Sequence, residues 1–194
     1  CRYCGEKISV RYPLTELAFA LLTVLCLLRF DLTVLCLRNW IFLCCLFCLS
    51  LVDLESYTIP DGCLLTAVGA WILALPFLKP GWGEILRHVL AGLVFGGGIL
   101  LLSLVMDKLL GKESLGGGDV KLFAVVGLYL GFVSTLFAVL LSCVLGLLFA
   151  LVMSRRGEKG RAIPFGPSIS LAAAFMLLYG DGFVQWYMGL LGLS

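Results

Sequence analysis

Hydrophobic residues in this chain form long runs that short polar stretches separate. Seven runs are candidate membrane-spanning segments, at residues 14–28, 38–52, 62–78, 86–106, 120–133, 135–153 and 164–180. Several of them approach or exceed the roughly 17 to 25 residues that a helix needs to cross a bilayer. The fifth run is short, which a tilt or burial among neighbouring helices accommodates. The pattern therefore predicts an all-α, polytopic transmembrane bundle of about six or seven spans, with a short amphiphilic tail at 183–194.

The composition agrees with a membrane protein. Of the 194 residues, 61% are hydrophobic and 13% are charged, whereas a soluble domain is roughly half apolar. The formal net charge of +2 says little by itself. We expect the lipid bilayer, and no nucleic acid, as a partner.

The cysteines do not suggest a disulfide framework. The chain has nine, an odd number. Cysteine inside an apolar run behaves as a small hydrophobic residue. Five of them lie in such runs: Cys26, Cys44, Cys45, Cys48 and Cys143.

The placement of positive charge predicts the orientation. With the N-terminus in the cytoplasm, the segments 1–13, 53–61, 107–121 and 154–163 are cytoplasmic. They hold ten of the lysines and arginines, and the opposite face holds four. Cytoplasmic loops carry the excess of Lys and Arg, so this orientation is favoured. It places Asp53 and Asp119 at the same, cytoplasmic, face.

Asp53 closes an apolar run and is the acid with the least evident structural role. Acids at membrane depth are costly, and those present usually face a bundle interior or a wet cavity. In the loop that follows, Glu55 is expected to be solvated. Pro60 and Asp61 resemble a helix start, with Asp61 as the cap of the third span.

Asp119 follows three glycines and opens another apolar run. An acid there is a good helix cap, and from the residues alone capping and catalysis are about equally supported. Glycines such as Gly116 and Gly118 also admit another chain close to the backbone. A peptide substrate would use that space, as would the broken helix of a transporter.

If Asp53 and Asp119 share a site, they have the chemistry of an aspartic protease. Two adjacent carboxylates cannot both ionise cheaply, so the pair holds one proton. The ionised member can take a proton from water, and the protonated member can bind the scissile carbonyl and then protonate the leaving amine. A nucleophile paired with histidine is not expected, because His88, the sole histidine, is predicted to be interfacial and far from both acids.

Other features have a structural interpretation beside a functional one. Cys1-x-x-Cys4 is either half of a zinc site or two incidental thiols. Pro164 begins a rigid turn where the last span enters the membrane. Gly92-x-x-x-Gly96 has the small-residue spacing of a tight helix contact.

Taken together, these stretches resemble type IV prepilin peptidases, the G-x-G-D class of membrane aspartic proteases. The matching residues are Cys1-Arg2-Tyr3-Cys4-Gly5, Ile8-Ser9-Val10-Arg11-Tyr12-Pro13-Leu14 with Glu16, Asp53 through Ile59-Pro60-Asp61, Gly116-x-Gly118-Asp119-Val120-Lys121-Leu122, and Ile163-Pro164-Phe165-Gly166-Pro167. The resemblance implies that Asp53 and Asp119 are catalytic. It implies a substrate-binding or site-shaping role for Gly116, Gly118, Lys121, Pro164 and Gly166.

The resemblance also implies a biological role. Members of this family cut basic leaders from prepilins and pseudopilins of type IV pili and type II secretion, at the cytoplasmic face of the inner membrane. Proteolysis needs no cofactor. Many members then methylate the new N-terminus with S-adenosylmethionine, and two C-x-x-C pairs in their cytoplasmic domain bind zinc. Only Cys1 and Cys4 of such a zinc site are present here, so we expect residues 1–13 to be the remnant of that domain in an N-terminally truncated chain. Residues 14–194 are expected to form the peptidase domain.

Two hypotheses from other classes remain open at this stage. One is an ion- or proton-coupled transporter with glycine-broken helices. The other is a non-catalytic membrane assembly factor, which would tolerate the loss of either acid.

Overall fold

The computed structural model describes residues 9–111, 116–155, 164–190 and 192, and this part of the chain folds into six helices without a strand. All six are long and apolar enough to cross a membrane. The predicted all-α, polytopic architecture is thereby confirmed. The helices are α1 (Arg11–Phe30), α2 (Val34–Ser56), α3 (Asp61–Leu78), α4 (Trp82–Leu110), α5 (Gly117–Arg155) and α6 (Gly166–Leu190).

The long helix α5 is interrupted at Gly131. This residue has φ 72° and ψ −173°, a combination open essentially to glycine alone. The predicted runs 120–133 and 135–153 correspond to the two arms of α5 on either side of this break, residues 117–130 and 132–155. The sequence pattern placed the division at residue 134, three positions after the glycine that makes it.

Contacts at the two ends of α5 show that its arms fold back on each other. In a straight helix Asp119 and Gly146 would be about 40 Å apart, at 1.5 Å per residue. Instead, Gly146 packs against the ring of Phe165, and the next residue, Gly166, is hydrogen-bonded to Asp53. Asp53 in turn lies near enough to Asp119 for their charges to interact. The chain therefore crosses the bundle twice within α5.

His88 lies at the turn between the two arms. Its Nδ1 is 3.0 Å from the carbonyl oxygen of Leu128, which can accept a hydrogen bond from the ring N–H. A side chain added to Gly131 would meet the same imidazole ring, 3.6 Å from Cε1. His88 thus has a structural position at this turn.

Small residues allow α4 and the first arm of α5 to pack closely. A Cβ added to Gly92 would lie 2.8 Å from the carbonyl oxygen of Ala124, and one added to Gly96 would lie 2.7 Å from the Ala124 Cβ. On α5, a Cβ added to Gly127 would lie 2.8 Å from the Gly92 backbone. The tight contact predicted from the Gly92-x-x-x-Gly96 spacing is confirmed.

This topology brings four helix ends together. The C-terminal end of α2 and the first residues of α3, α5 and α6 meet at one end of the bundle, which we call the aspartate end because Asp53 and Asp119 lie there. The start of α1 is at the same end, where Arg11 is 3.5 Å from Glu55. The opposite end, with the α1–α2 connection and Gly131, we call the distal end.

Candidate active site

Asp53 lies in the last turn of α2 and is held by the first residue of α6. Its side chain points into the bundle, and only 5% of the residue is exposed. Its Oδ2 accepts a hydrogen bond of 2.9 Å from the backbone N–H of Gly166. The first N–H groups of a helix have no partner within the helix. A carboxylate at that position is also favoured by the helix dipole.

The absence of a side chain at Gly166 makes this contact possible. A Cβ built there would lie 2.7 Å from Asp53 Oδ2 and 3.1 Å from Cγ. Pro164, buried just before the helix, restricts the backbone that leads into α6. Phe165 between them packs against Gly146 of α5. Pro164 and Gly166, both predicted to shape the site, therefore lie beside Asp53.

Asp119 is the third residue of α5 and approaches the same place from another helix. Its backbone N–H donates to the carbonyl oxygen of Gly116 at 3.0 Å, so Asp119 lies inside the first helical turn, beyond the cap position. Its Oδ2 would be 3.5 Å from a Cβ at Gly116. Its carboxyl group is half-buried and interacts electrostatically with Asp53. The structure thus brings together the two acids that sequence reasoning paired.

Gly118 allows the connection between α2 and α3 to pass directly over the start of α5. A Cβ on Gly118 would be 2.9 Å from Cβ of Ile59. That connection begins at Tyr57, whose φ of 56° is in the left-handed region, and ends at Pro60 before α3. The close approach expected of these glycines is made here by the chain's own Ile59.

Lys121 contacts Asp61 and joins α5 to α3. Its Nζ is 2.8 Å and 3.0 Å from the two carboxylate oxygens of Asp61. The expectation that Asp61 caps α3 is wrong: the N-cap is Pro60, and Asp61 is the first helical residue, with its carboxylate turned to the lysine. Both side chains are more than half exposed, so the pair lies at the rim of the site.

These positions define what the site can do chemically. Two carboxylates share one environment, one almost fully buried and one half-buried. Such a pair can hold a single proton and so supply a base and an acid to one water molecule. His88 lies at the turn between the arms of α5, so it is not available to activate a nucleophile here.

Among the described residues, no group of three or more His, Cys, Asp or Glu side chains could hold a metal ion. Cys1 and Cys4, the predicted half of a zinc site, lie outside the described part of the chain. Whether they bind zinc therefore stays a prediction.

Several contacts of the site were not predicted from the sequence, among them two apolar ones. Neither the Ile59 contact with Gly118 nor the packing of Phe165 on Gly146 was predicted. Ile59 and Phe165 lie within stretches that carried the family resemblance. The sequence therefore singled out their positions but not the glycines that they contact.

Comparison with known proteins gives matches over nearly the whole chain. The model of the type IV leader peptidase family matches residues 40–151. The model of the bacterial peptidase A24 N-terminal domain matches residues 1–30. No solved structure gives a significant match.

The curated relatives that match are longer than the chain. A prepilin leader peptidase/N-methyltransferase of Aeromonas salmonicida is 34% identical over 97% of this chain and 65% of the relative. The proteins of that name from Pseudomonas putida and Bacillus subtilis are 35% and 30% identical, over 99% and 97% of this chain and 67% and 74% of the relatives. The chain thus spans about two thirds of the length of the curated relatives it matches.

Proposed function

This chain belongs to the type IV leader peptidase family, and on that premise we propose that it is a membrane aspartic endopeptidase that cleaves the leaders of type IV prepilins and pseudopilins. Asp53 and Asp119 are the catalytic pair. The observation that carries this assignment is their meeting at one end of the bundle, from helices far apart in the sequence. The relatives' name also includes N-methylation, which uses S-adenosylmethionine; for this chain we propose cleavage alone.

The roles of the two acids follow from their surroundings. The Gly166 N–H donates to Asp53 Oδ2, and a hydrogen bond to the charged form favours that form. Asp119 also accepts a backbone hydrogen bond, from Gly116, but the negative charge of Asp53 opposes its ionisation. We therefore assign Asp53 as the ionised member, which takes a proton from the attacking water. Asp119 is the protonated member, hydrogen-bonds the scissile carbonyl and then helps protonate the leaving amine. Gly116, which is exposed, leaves the backbone beside Asp119 open to an extended peptide, whereas Ile59 covers Gly118.

The distribution of positive charge supports a cytoplasmic site. Ten of the 14 lysines and arginines fall in the segments assigned to the cytoplasm, and the positive-inside rule predicts this bias. The aspartate end then lies at the cytoplasmic face of the inner membrane. A basic leader on the cytoplasmic side of a membrane-embedded substrate would reach the two acids there.

Cleavage of a prepilin in membranes tests the proposal. Asp53→Asn and Asp119→Asn keep the side-chain size but cannot share a proton, and general acid–base catalysis contributes about 10²–10⁴-fold. The cleavage rate of each variant should therefore be at least about 100-fold lower than that of the wild-type chain. Glu55→Gln is a matched control, because this acid is on the same helix as Asp53 but its side chain is 75% exposed.

Each outcome has a definite meaning. Inert aspartate variants that still insert, beside an active Glu55→Gln protein, support the proposal. An aspartate variant that cuts at the wild-type rate removes that acid from the mechanism. A wild-type chain that inserts, does not cut prepilin and instead moves protons or ions would establish the transporter hypothesis in its place.

A further inference from the structure

Two cysteines at the distal end lie side by side although they belong to different helices. Cys26 is in the last turns of α1 and Cys36 in the first turn of α2, with their Sγ atoms 3.8 Å apart. Cys26 is fully buried and Cys36 is 5% exposed. Their location is remote from the catalytic aspartates, so the proposed peptidase reaction does not use them.

The backbones of the two cysteines are also close. Cys26 Sγ is 3.7 Å from the carbonyl oxygen of Cys36, and Cys36 Sγ is 3.8 Å from that of Cys26. A disulfide needs its sulfurs at about 2.05 Å. The sulfurs must therefore approach by about 1.8 Å, a distance within reach of side-chain rotation.

The helix that this pair would tether, α1, is attached to the bundle mainly by contacts that are not fully buried. Cys26 is the only residue of α1 in the fully buried class. The other contacts of α1 are at most partly buried. They include the hydrogen bond from Trp40 to Thr23, the packing of Phe19 on Trp40, and the hydrogen bonds of Arg29 with α6. In a bilayer, lipid is as apolar as the helix surface, so no hydrophobic effect drives the helices together. A covalent bond at its one fully buried residue would hold α1 in place.

We propose that Cys26 and Cys36 form a disulfide that fastens α1 to α2. This departs from the sequence-based expectation, which treated Cys26 as a small hydrophobic residue and found no disulfide framework. The bond forms by thiol–disulfide exchange with an oxidised protein disulfide of the compartment outside the cytoplasmic membrane. The two thiols lose two protons and two electrons and form one S–S bond, and the carrier disulfide is reduced to two thiols.

A second close pair of cysteines provides an internal comparison. Cys48 and Cys63 have side chains within hydrogen-bonding reach. They lie towards the aspartate end, since Cys63 follows Asp61 in the first turn of α3. Disulfides persist in oxidising compartments and are rare where thiols are kept reduced. With the proposed orientation, the distal pair is oxidised and the Cys48–Cys63 pair stays reduced.

The test is differential thiol mapping of the full chain in native membranes. Free thiols are alkylated with N-ethylmaleimide during denaturation, the protein is digested, and the peptides are analysed by mass spectrometry before and after reduction. The expected result is a reducible cross-linked peptide pair containing Cys26 and Cys36, with Cys48 and Cys63 alkylated. In Cys36→Ser, Cys26 should become fully alkylated.

The possible results separate this inference from the orientation on which it rests. Fully alkylated Cys26 and Cys36 in the wild-type chain would overturn the proposal. A bond between Cys48 and Cys63 with free distal thiols would overturn it too, and would reverse the orientation. Cleavage of prepilin by the Cys26→Ser/Cys36→Ser chain is measured separately, so a failure of the disulfide leaves the peptidase proposal standing.

Discussion

Replacing Gly166 by alanine tests whether the backbone of α6 positions Asp53. The added methyl group would lie 2.7 Å from Oδ2, whereas ordinary contacts begin at 3.4 Å. The carboxylate must therefore retreat by about 0.7 Å in a packed interior that has little room to relax. The retreat lengthens or breaks the 2.9 Å hydrogen bond from the Gly166 N–H.

Two independent considerations give the size of the effect. A hydrogen bond to a charged group contributes about 1.5–3 kcal/mol, which at about 1.4 kcal/mol per tenfold corresponds to roughly 10- to 150-fold in rate. Misplacing a reacting group by about 1 Å costs about 100-fold. We therefore expect Gly166→Ala to reduce kcat/KM for prepilin cleavage by about 100-fold.

The assay is prepilin cleavage by membranes that contain equal amounts of inserted protein. Gly182→Ala is the control, because it makes the same substitution in the same helix at a position with no atom within 4 Å of the added Cβ. The control should cleave at the wild-type rate. If Gly166→Ala also cleaves at that rate, then α6 does not position Asp53, and the assigned roles of Gly166 and the ionised Asp53 are both refuted.

Three further substitutions probe the supports of the site. Gly131→Ala should lower the melting temperature of the detergent-solubilised protein, because the torsions at this break cost a side chain about 1–3 kcal/mol. Gly118→Ala should reduce cleavage, because its Cβ would be 2.9 Å from Cβ of Ile59, and adding Ile59→Gly, which removes that Cβ, should restore most of the rate. Lys121→Ala should reduce cleavage by at most about 5-fold, since exposed ion pairs contribute about 0–1 kcal/mol. Exchanging the charges, with Lys121→Asp and Asp61→Lys in one chain, should recover that loss.

Each of these predictions has a result that would contradict it. Gly98→Ala, in a helix with open space around the added Cβ, should leave the melting temperature unchanged, and an equal drop there would show that the Gly131 torsions are not the cause. A Gly118→Ala defect that Ile59→Gly fails to relieve would exclude the steric explanation. A Lys121→Ala loss as large as that of the aspartate variants would mean that the lysine contacts the reacting groups.

The pairing of the two acids could be predicted from sequence because it rests on properties that are local or additive. Charge asymmetry between loops placed Asp53 and Asp119 at one face, and small-residue spacing predicted the contact at Gly92 and Gly96. Both inferences depend only on where residues fall along a span. Neither requires knowledge of which side chains of different helices come into contact.

What could not be predicted depends on which helix ends meet. The hydrogen bond from Gly166 to Asp53 joins residues 113 positions apart. The hydrophobic periodicity of the sequence contains no information about a contact of that range. Asp61 looked like a cap because its neighbours resemble a helix start, yet its position one residue further on turned its carboxylate to Lys121. The division of α5 was placed at residue 134, since hydropathy marks the polar Ser134 and says nothing about the torsion of Gly131.

The break at Gly131 also determines how deep the proposed chemistry takes place. The first arm of α5, residues 117–130, is about 21 Å long at 1.5 Å per residue, and the hydrocarbon layer of a bilayer is about 30 Å thick. With Gly131 at one surface, this arm stops about 9 Å short of the other, so either the bilayer thins there or Asp119 works beneath its surface. In the second case water must reach a peptide bond at the level of the acyl chains, and in the first the lipid must deform around the site. The thickness of the membrane then becomes part of the enzyme's selectivity, because a substrate must carry its cleavage site to that depth.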